Sequence, residues 1–324
     1  MDTPKEFSLL IKPENISEFL KSCYALKPPE LVISESKWKY AVRSALKGKN
    51  ILVVGPTGSG KSLLAQTIAK VINNNERFFY FNLGSTTDAR CSLIGNTAFD
   101  KSTGTVFNES LFVKAIKTEG AIILLDELSR AHPDAANILM SVLDDLQRYL
   151  RLDEKSDTET VKVAKGVSFI ATANVGNEYT GTRVMDRALL NRFSVKIEMT
   201  PLDRDEEFEY IQRRFNVTSD DNLKLLGNVI DIAAYTRNQI SLSDGKLTNF
   251  LSTRDVVEMA ELILDGFTLE EIAESTIYPN FSFDGGVESE RLFVKQLVQK
   301  YLTEKFNDDE LITDPLDAEE PPPF

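Results

Sequence analysis

Five short segments rich in apolar residues recur along the first two thirds of the chain, and stretches with helical spacing of apolar residues separate them. The five segments lie at residues 51–54, 78–83, 121–125, 167–171 and 195–199. Short apolar segments of this kind are typical of strands that are buried in the middle of a parallel sheet. The pattern therefore predicts an α/β domain built on a five-stranded parallel sheet.

Amphipathic stretches between and after these segments predict the helices. Behind the candidate N-cap residue Ser34, the positions of Trp38 and Val42 predict a helix that ends at Gly48. Further helices are predicted over residues 14–21, 63–72, 84–94, 110–117, 134–147 and 186–193, and over most of 203–306, including 255–264.

Two polar segments interrupt this alternation of strands and helices. Residues 95–108 and 149–166 partly alternate between apolar and polar side chains and contain turn residues. Both segments are predicted to form exposed hairpins that contribute little to the core.

The same pattern divides the chain into four parts. Residues 1–29 form a lead-in, 30–200 the α/β domain and 201–306 a helical domain, and 307–324 form an acidic, proline-rich tail. The tail has few apolar residues to bury, so it is predicted to be disordered.

Composition favours a cytoplasmic protein. The chain has 324 residues, of which 42% are hydrophobic and 27% charged, and it contains no apolar run near the roughly 20 residues of a membrane helix. The first residues lack the basic and apolar regions of a secretory signal. Cys23 and Cys91 are the only cysteines and have no metal-site spacing, which favours a reducing compartment.

The net charge of −13 argues against binding to nucleic acid. Seven of the carboxylates lie in the tail after Lys305, so the preceding chain is mildly acidic. A protein that follows DNA is expected to carry a broad basic surface instead.

A phosphate-binding loop follows the first strand segment. The candidate nucleotide-binding residues are Gly55, Pro56, Thr57, Gly58, Ser59, Gly60, Lys61, Ser62 and Leu63. They match the pattern G-x-x-x-x-G-K-[ST] between a strand and a helix, which is the context that the motif requires. Lys61 is predicted to reach the β- and γ-phosphates of ATP, and the Ser62 hydroxyl to bind Mg²⁺.

Two acids follow the third strand segment, at the end of the sheet where α/β proteins bind ligands. Asp126 is the candidate Mg²⁺ ligand, through water, and Glu127 the candidate base for the attacking water. The alternative is that both acids only solvate the end of a strand.

Two further polar residues are candidates for contact with the nucleotide. Asn174 follows the fourth strand and could hold the attacking water, or it could simply cap the strand end. Arg254 lies at the start of a helix, where a cation is unfavourable for the helix dipole. A ligand phosphate would explain Arg254, and the alternative is an exposed surface arginine.

The order of the phosphate loop, the Asp-Glu strand end, the Thr-Ala-Asn strand end, ALLNRF and STR resembles that of an AAA+ ATPase over residues 30–304. The segment LLDELSRAHP and the two hairpin insertions are similar to the MoxR-type branch. GTRVMDRALLNRF and LSTRDVVEMAEL resemble the ATPase subunit of cobaltochelatase and the ATPases that activate rubisco and nitric-oxide reductase. Leu128-Ser129 departs from the usual Ile-Asn of that turn.

The resemblance implies roles for the matching residues. Asn174 would be sensor 1, and Arg254 would be sensor 2 in a C-terminal helical lid. Arg192 would be an arginine finger that acts on the neighbouring subunit, with Arg187 as a helper; the alternative for Arg192 is a surface ion pair with an acid such as Asp186. The family usually forms hexameric rings, uses ATP with Mg²⁺ and remodels a partner protein. The resemblance implies that the partner would carry a von Willebrand factor A domain.

Two other classes of function remain open. A nucleic-acid motor, such as a McrB-like GTPase or a translocase, would prefer GTP or show DNA-stimulated turnover that depends on salt. A nucleotide-gated scaffold without enzymatic activity would not need Glu127 and Arg192, and both residues are present.

Overall fold

A five-stranded parallel sheet forms the centre of the computed structural model. The structure describes residues 16–303, apart from 74, 86–87, 101–103, 154, 156–158, 175–184 and 243–244. The predicted start of a helix at 14 and the predicted tail over 307–324 lie outside the described residues. The chain divides into two units between Pro201 and Leu202, and each unit is described by itself.

The strands of the sheet in the first unit are β1 Ile51–Val54, β2 Phe78–Asn82, β5 Ile122–Asp126, β8 Ser168–Ala173 and β9 Val195–Glu198. Their order in the sheet is β2-β5-β8-β1-β9, and all neighbouring pairs are parallel. Two antiparallel hairpins, described below, consist of β3 Gly95–Asp100 with β4 Gly104–Glu109 and β6 Tyr149–Leu152 with β7 Glu159–Lys162. The predicted α/β fold with a five-stranded parallel sheet is confirmed.

Successive residues of the central strands enter two different hydrophobic clusters. Leu52 and Phe169 belong to one cluster, and their neighbours Ile51 and Ile170 belong to the other. Both faces of the sheet are therefore covered, which explains why the central strands read as nearly continuous apolar runs.

Helices cover both faces of the sheet. In the first unit they are α1 Ile16–Ser22, α2 Glu35–Leu46, α3 Lys61–Asn73, α4 Ala89–Leu93, α5 Leu111–Lys117, α6 Pro133–Val142 and α7 Arg187–Leu190.

Three of the predicted helices are longer than the structure allows, and the one predicted over 186–193 is limited to α7 Arg187–Leu190. In the predicted helix over 84–94, the Asn82 side chain accepts hydrogen bonds from the first residues of the segment, and α4 begins only after its N-cap Asp88. In the predicted helix over 134–147, Asp144 Oδ1 accepts from the N–H groups of Leu146 and Gln147 and forms a turn, so α6 ends at Val142.

The two hairpins differ in burial, and the prediction that both contribute little to the core is wrong for the second. In β3 of the first hairpin, the Phe99 side chain is 78% exposed. In the second hairpin, Leu150, Leu152 and Val161 are buried in the core of the first unit. The predicted hairpin tips include residues 101–103, 154 and 156–158, which lie outside the described residues.

The described part of the second unit is helical. Its helices are α8 Arg204–Phe215, α9 Asp220–Ser241, α10 Thr253–Leu264, α11 Leu269–Ile272 and α12 Glu290–Leu302. A buried ion pair joins Glu207 of α8 to Arg237 of α9 at 2.8 Å, and Arg237 Nε donates to the Leu251 carbonyl at 2.7 Å. These contacts fix the chain just before α10 begins.

Among the described residues, the helices are all too short or too polar to cross a lipid bilayer.

Candidate nucleotide-binding site

The phosphate loop lies between β1 and α3, at the carboxyl end of β1, which β8 and β9 flank in the sheet. The Gly55 N–H donates to the Ala173 carbonyl of β8 at 3.3 Å, and a Cβ at Gly55 would collide with the Met199 carbonyl. Gly58 and Gly60 have φ values of +80° and +83°, which favour glycine. A side chain at Gly55 would therefore clash with the neighbouring backbone, and one at Gly58 or Gly60 would strain the backbone of the loop.

Lys61 begins α3 and turns its ammonium group back into the loop. Its Nζ donates to the Gly55 carbonyl at 3.0 Å and to the Pro56 carbonyl at 2.6 Å, and the residue is buried. A buried cation beside backbone N–H groups and a helix N-terminus fits a polyphosphate. The contact of Lys61 with the β- and γ-phosphates stays a prediction.

Three hydroxyl groups converge on the carboxylate of Asp126. The Ser62 hydroxyl donates to Oδ1 at 3.0 Å, the Tyr80 hydroxyl donates to Oδ2 at 3.2 Å, and the Thr172 hydroxyl donates to Oδ1. Burial and the charge of Asp126 raise the pKa of Tyr80, so its phenol stays protonated. A carboxylate and a hydroxyl at the phosphate loop are hard oxygen ligands, which fit Mg²⁺.

Glu127 adopts a left-handed backbone conformation directly after β5, with φ 57° and ψ 41°. Its N–H donates to the Thr172 hydroxyl at 3.1 Å, so Thr172 contacts both acids of the pair. Its carboxylate lies against Gly84, where a Cβ would come well within 3.0 Å of Oε2. Backbone strain of this kind costs about 1–3 kcal/mol and is concentrated at functional sites.

Asn174 lies at the phosphate loop. Its Nδ2 donates to the Thr57 hydroxyl at 3.5 Å, directly after β8 ends at Ala173. The structure thus brings together Lys61, Ser62, Asp126 and Asn174 from three separate parts of the sequence.

Arg192 is paired with an acid of its own chain. Its Nη2 lies 3.3 Å from Asp144 Oδ2, and its Nε donates to the Met140 carbonyl at 3.5 Å. Asp186, the partner suggested in the alternative interpretation, instead caps α7 by accepting from the Ala188 N–H. The N–H groups of Leu146 and Gln147 lower the pKa of Asp144, and Arg192 adds to this effect.

Arg254 belongs to the second unit. It lies exposed in the first turn of α10, next to Asp255, whose carboxylate accepts from the N–H and the hydroxyl of Ser252 at 2.7 Å. The acid at this position offsets the unfavourable placement of the arginine at the helix start.

Sequence reasoning gave no role to Tyr80, Gly84 or Thr172, although all three contact the acid pair. Tyr80 and Thr172 are hydroxyl-bearing residues within strands that are otherwise mainly apolar. These hydroxyl groups could have indicated the contacts from the sequence alone, because a polar side chain in a core strand needs a hydrogen-bond partner. Gly84 gave no such signal, since its importance depends on where Glu127 lies.

Comparison with known proteins places this site in a family. Residues 50–193 match the protein family that is described as an AAA domain of the dynein-related subfamily. BssE of Thauera aromatica, which carries the name of a candidate chaperone, is 33% identical over 70% of this chain and 74% of its own length. An uncharacterized protein of Staphylococcus saprophyticus is 35% identical over 60% of this chain and 77% of its own length.

Solved structures overlap the chain more loosely. The crystal structure of a candidate ATPase from Cytophaga hutchinsonii is 17% identical, covers 89% of this chain and 96% of its own, and has a TM-score of 0.45. A structure of Hsp104 with ATPγS and casein is 19% identical, covers 64% of this chain and 40% of its own, and has a TM-score of 0.48. Both likenesses are too loose to indicate a function. The match to the family description and the extent of the similarity to BssE show that the chain belongs to the AAA domain family, in its dynein-related subfamily.

Proposed function

We propose that the protein is a Mg²⁺-dependent ATPase. The observation that carries this proposal is the convergence of Lys61, Ser62, Asp126 and Asn174 on one phosphate loop. A scaffold that only bound nucleotide would not need an acid such as Glu127, held in a strained conformation beside Asp126.

Each group of the site has a defined task in this reaction. Lys61 and the loop N–H groups neutralise the β- and γ-phosphates. Ser62 and Asp126 would hold Mg²⁺, and the bound ion would supply charge stabilisation to the phosphate oxygens. Glu127 accepts a proton from the attacking water, and Asn174 orients that water.

We further propose that the protein acts as a ring on a partner protein, in the manner of the MoxR-type branch. Arg192 would then serve the nucleotide of the neighbouring subunit, and Arg254 would close a helical lid. The name of BssE supports a chaperone-like role. By resemblance, the ring is a hexamer and the partner carries a von Willebrand factor A domain.

Two substitutions test the ATPase proposal, because they remove different steps. Lys61→Ala should abolish ATP binding, since the phosphates lose their buried cation. Glu127→Gln should bind ATP normally and lower turnover by about 10²–10⁴-fold, since only proton acceptance is lost. Binding is measured with a fluorescent ATP analogue, and turnover by phosphate release.

Lys70→Ala is the matched control, because Lys70 is an exposed lysine on the same helix as Lys61. It should leave binding and turnover unchanged. Normal turnover by Glu127→Gln would show that another group is the base. A preference for GTP, or stimulation by DNA that falls as salt rises, would instead favour a nucleic-acid motor.

A further inference from the structure

Tyr80 lies on β2, at the edge of the sheet, and reaches Asp126 on the neighbouring strand. The strand register pairs Asn82 with Asp126 and Tyr80 with Leu124. The phenol therefore extends along the sheet towards its carboxyl end, where its hydroxyl donates to Asp126 Oδ2 at 3.2 Å. This contact joins an edge strand to the candidate metal ligand.

The contact adds a third element to the support of Asp126. Ser62 of α3 lies 3.0 Å from Oδ1 and 3.2 Å from Oδ2, whereas Thr172 of β8 donates to Oδ1. Tyr80 approaches from the opposite neighbouring strand to Thr172, because β5 lies between β2 and β8. Donors on both sides restrict rotation of the carboxylate about its last side-chain bond.

Packing alone does not account for the position of the Tyr80 ring. The side chain is 46% exposed, so burial of the ring provides only part of the stabilisation that a fully buried aromatic side chain would provide. Its hydroxyl nevertheless points at the one carboxylate of the site that is suited to Mg²⁺. Groups that orient a metal ligand in this way commonly affect metal affinity as much as some ligands do.

We propose that Tyr80 is a positioning residue of the Mg²⁺ site, which holds the Asp126 carboxylate in the orientation needed for metal binding. This inference rests on the proposed ATPase function. It concerns metal affinity, and it assigns Tyr80 no direct part in proton transfer or phosphate binding.

Tyr80→Phe tests the inference, because it removes the hydroxyl and keeps the ring. Binding of a fluorescent ATP analogue is measured first in EDTA and then as Mg²⁺ is added. The variant should bind the analogue like the wild type in EDTA. The Mg²⁺ concentration that gives half-maximal enhancement of analogue binding should rise about 10–100-fold, which is the usual effect of losing such a supporting contact.

Tyr40→Phe is the matched control, because Tyr40 lies on α2 of the same unit and is 43% exposed. It should leave both measurements unchanged, and thermal unfolding should show that both variants are folded. If Tyr80→Phe needed no more Mg²⁺ than the wild type for the same enhancement of binding, the inference would be overturned. An equal loss of affinity with and without Mg²⁺ would also overturn it, since that points to a general role in folding.

The failure of the proposed function has a different signature. If the wild-type protein bound no ATP analogue, or bound it without any effect of Mg²⁺, the ATPase proposal would fail and the inference with it. If the wild type showed Mg²⁺-enhanced binding and Tyr80→Phe matched it, only the role of Tyr80 would be lost.

Discussion

Gly84 and Glu127 fill complementary space at the end of the sheet. The Glu127 carboxylate occupies the position where any side chain at residue 84 would begin. Gly84→Ala should therefore displace the proposed base while the phosphate loop stays intact. A misplacement of about 1 Å can cost about 10²-fold in rate, so turnover should fall by that order while ATP affinity is kept.

Gly227→Ala is the control for this substitution. Gly227 lies within α9, and a Cβ there would meet Arg204 only at an ordinary 3.8 Å. The change should leave turnover unchanged, and it favours the helix. Phosphate release by the purified variants measures both effects, and unaltered turnover in Gly84→Ala would mean that the base tolerates displacement.

At the level of residues, local motifs were predictable and contacts between distant segments were not. Lys61 and Ser62 are specified by a continuous pattern, whereas the contact of Ser62 with Asp126 joins two distant segments. The pairing of Arg192 with Asp144 depends on where α6 ends, which is set by a side-chain turn that helix periodicity does not reveal. The roles proposed for Glu127, Asn174, Arg192 and Arg254 stay predictions.

At the level of elements, the five core strands were predictable because each is an apolar segment of strand length. Both hairpins were predicted correctly as hairpins, but the burial of the second was not predicted. Leu150, Leu152 and Val161 alternate with polar residues, and this pattern fits a half-buried strand as well as an exposed one. Only the packing of the first unit shows which of the two applies.

The difference between the hairpins gives a paired prediction. Leu152→Ala should lower the free energy of unfolding by about 2–5 kcal/mol, because a fully buried side chain is lost from the core. Phe99→Ala should change it by no more than about 0.5 kcal/mol, since that side chain is exposed. If the first hairpin contacts the proposed partner protein, Phe99→Ala should nevertheless reduce activation of that partner.

Denaturant unfolding measures the stability of both variants. ATPase activity with and without the partner protein tests whether Phe99→Ala affects the action on that partner. A large loss of stability in Phe99→Ala would make the first hairpin a core element. Equal stability of Leu152→Ala and the wild type would show that the second hairpin is not held by its buried leucines.

At the level of the whole molecule, the proposed ring requires Arg192 to serve a neighbouring subunit. Within its own subunit the guanidinium contacts Asp144, and both side chains of that pair are partly exposed, at 33% and 23%. Such a pair contributes only about 0–1 kcal/mol, so its contribution to folding does not by itself explain the arginine. A phosphate of the next subunit could replace Asp144 at little cost.

A mixing experiment separates this role from that of a surface arginine. Arg192→Ala subunits and Lys61→Ala subunits should each be inactive, the first because the finger is missing and the second because ATP is not bound. Mixed rings should regain part of the ATPase activity, since an intact phosphate loop then meets an intact Arg192 at some interfaces. Arg213→Ala is the control, because Arg213 is an exposed arginine that pairs with Glu209 on α8, and it should be fully active alone. If rings form from both variants without any recovery, or if Arg192→Ala alone hydrolyses ATP normally, Arg192 does not act across subunits.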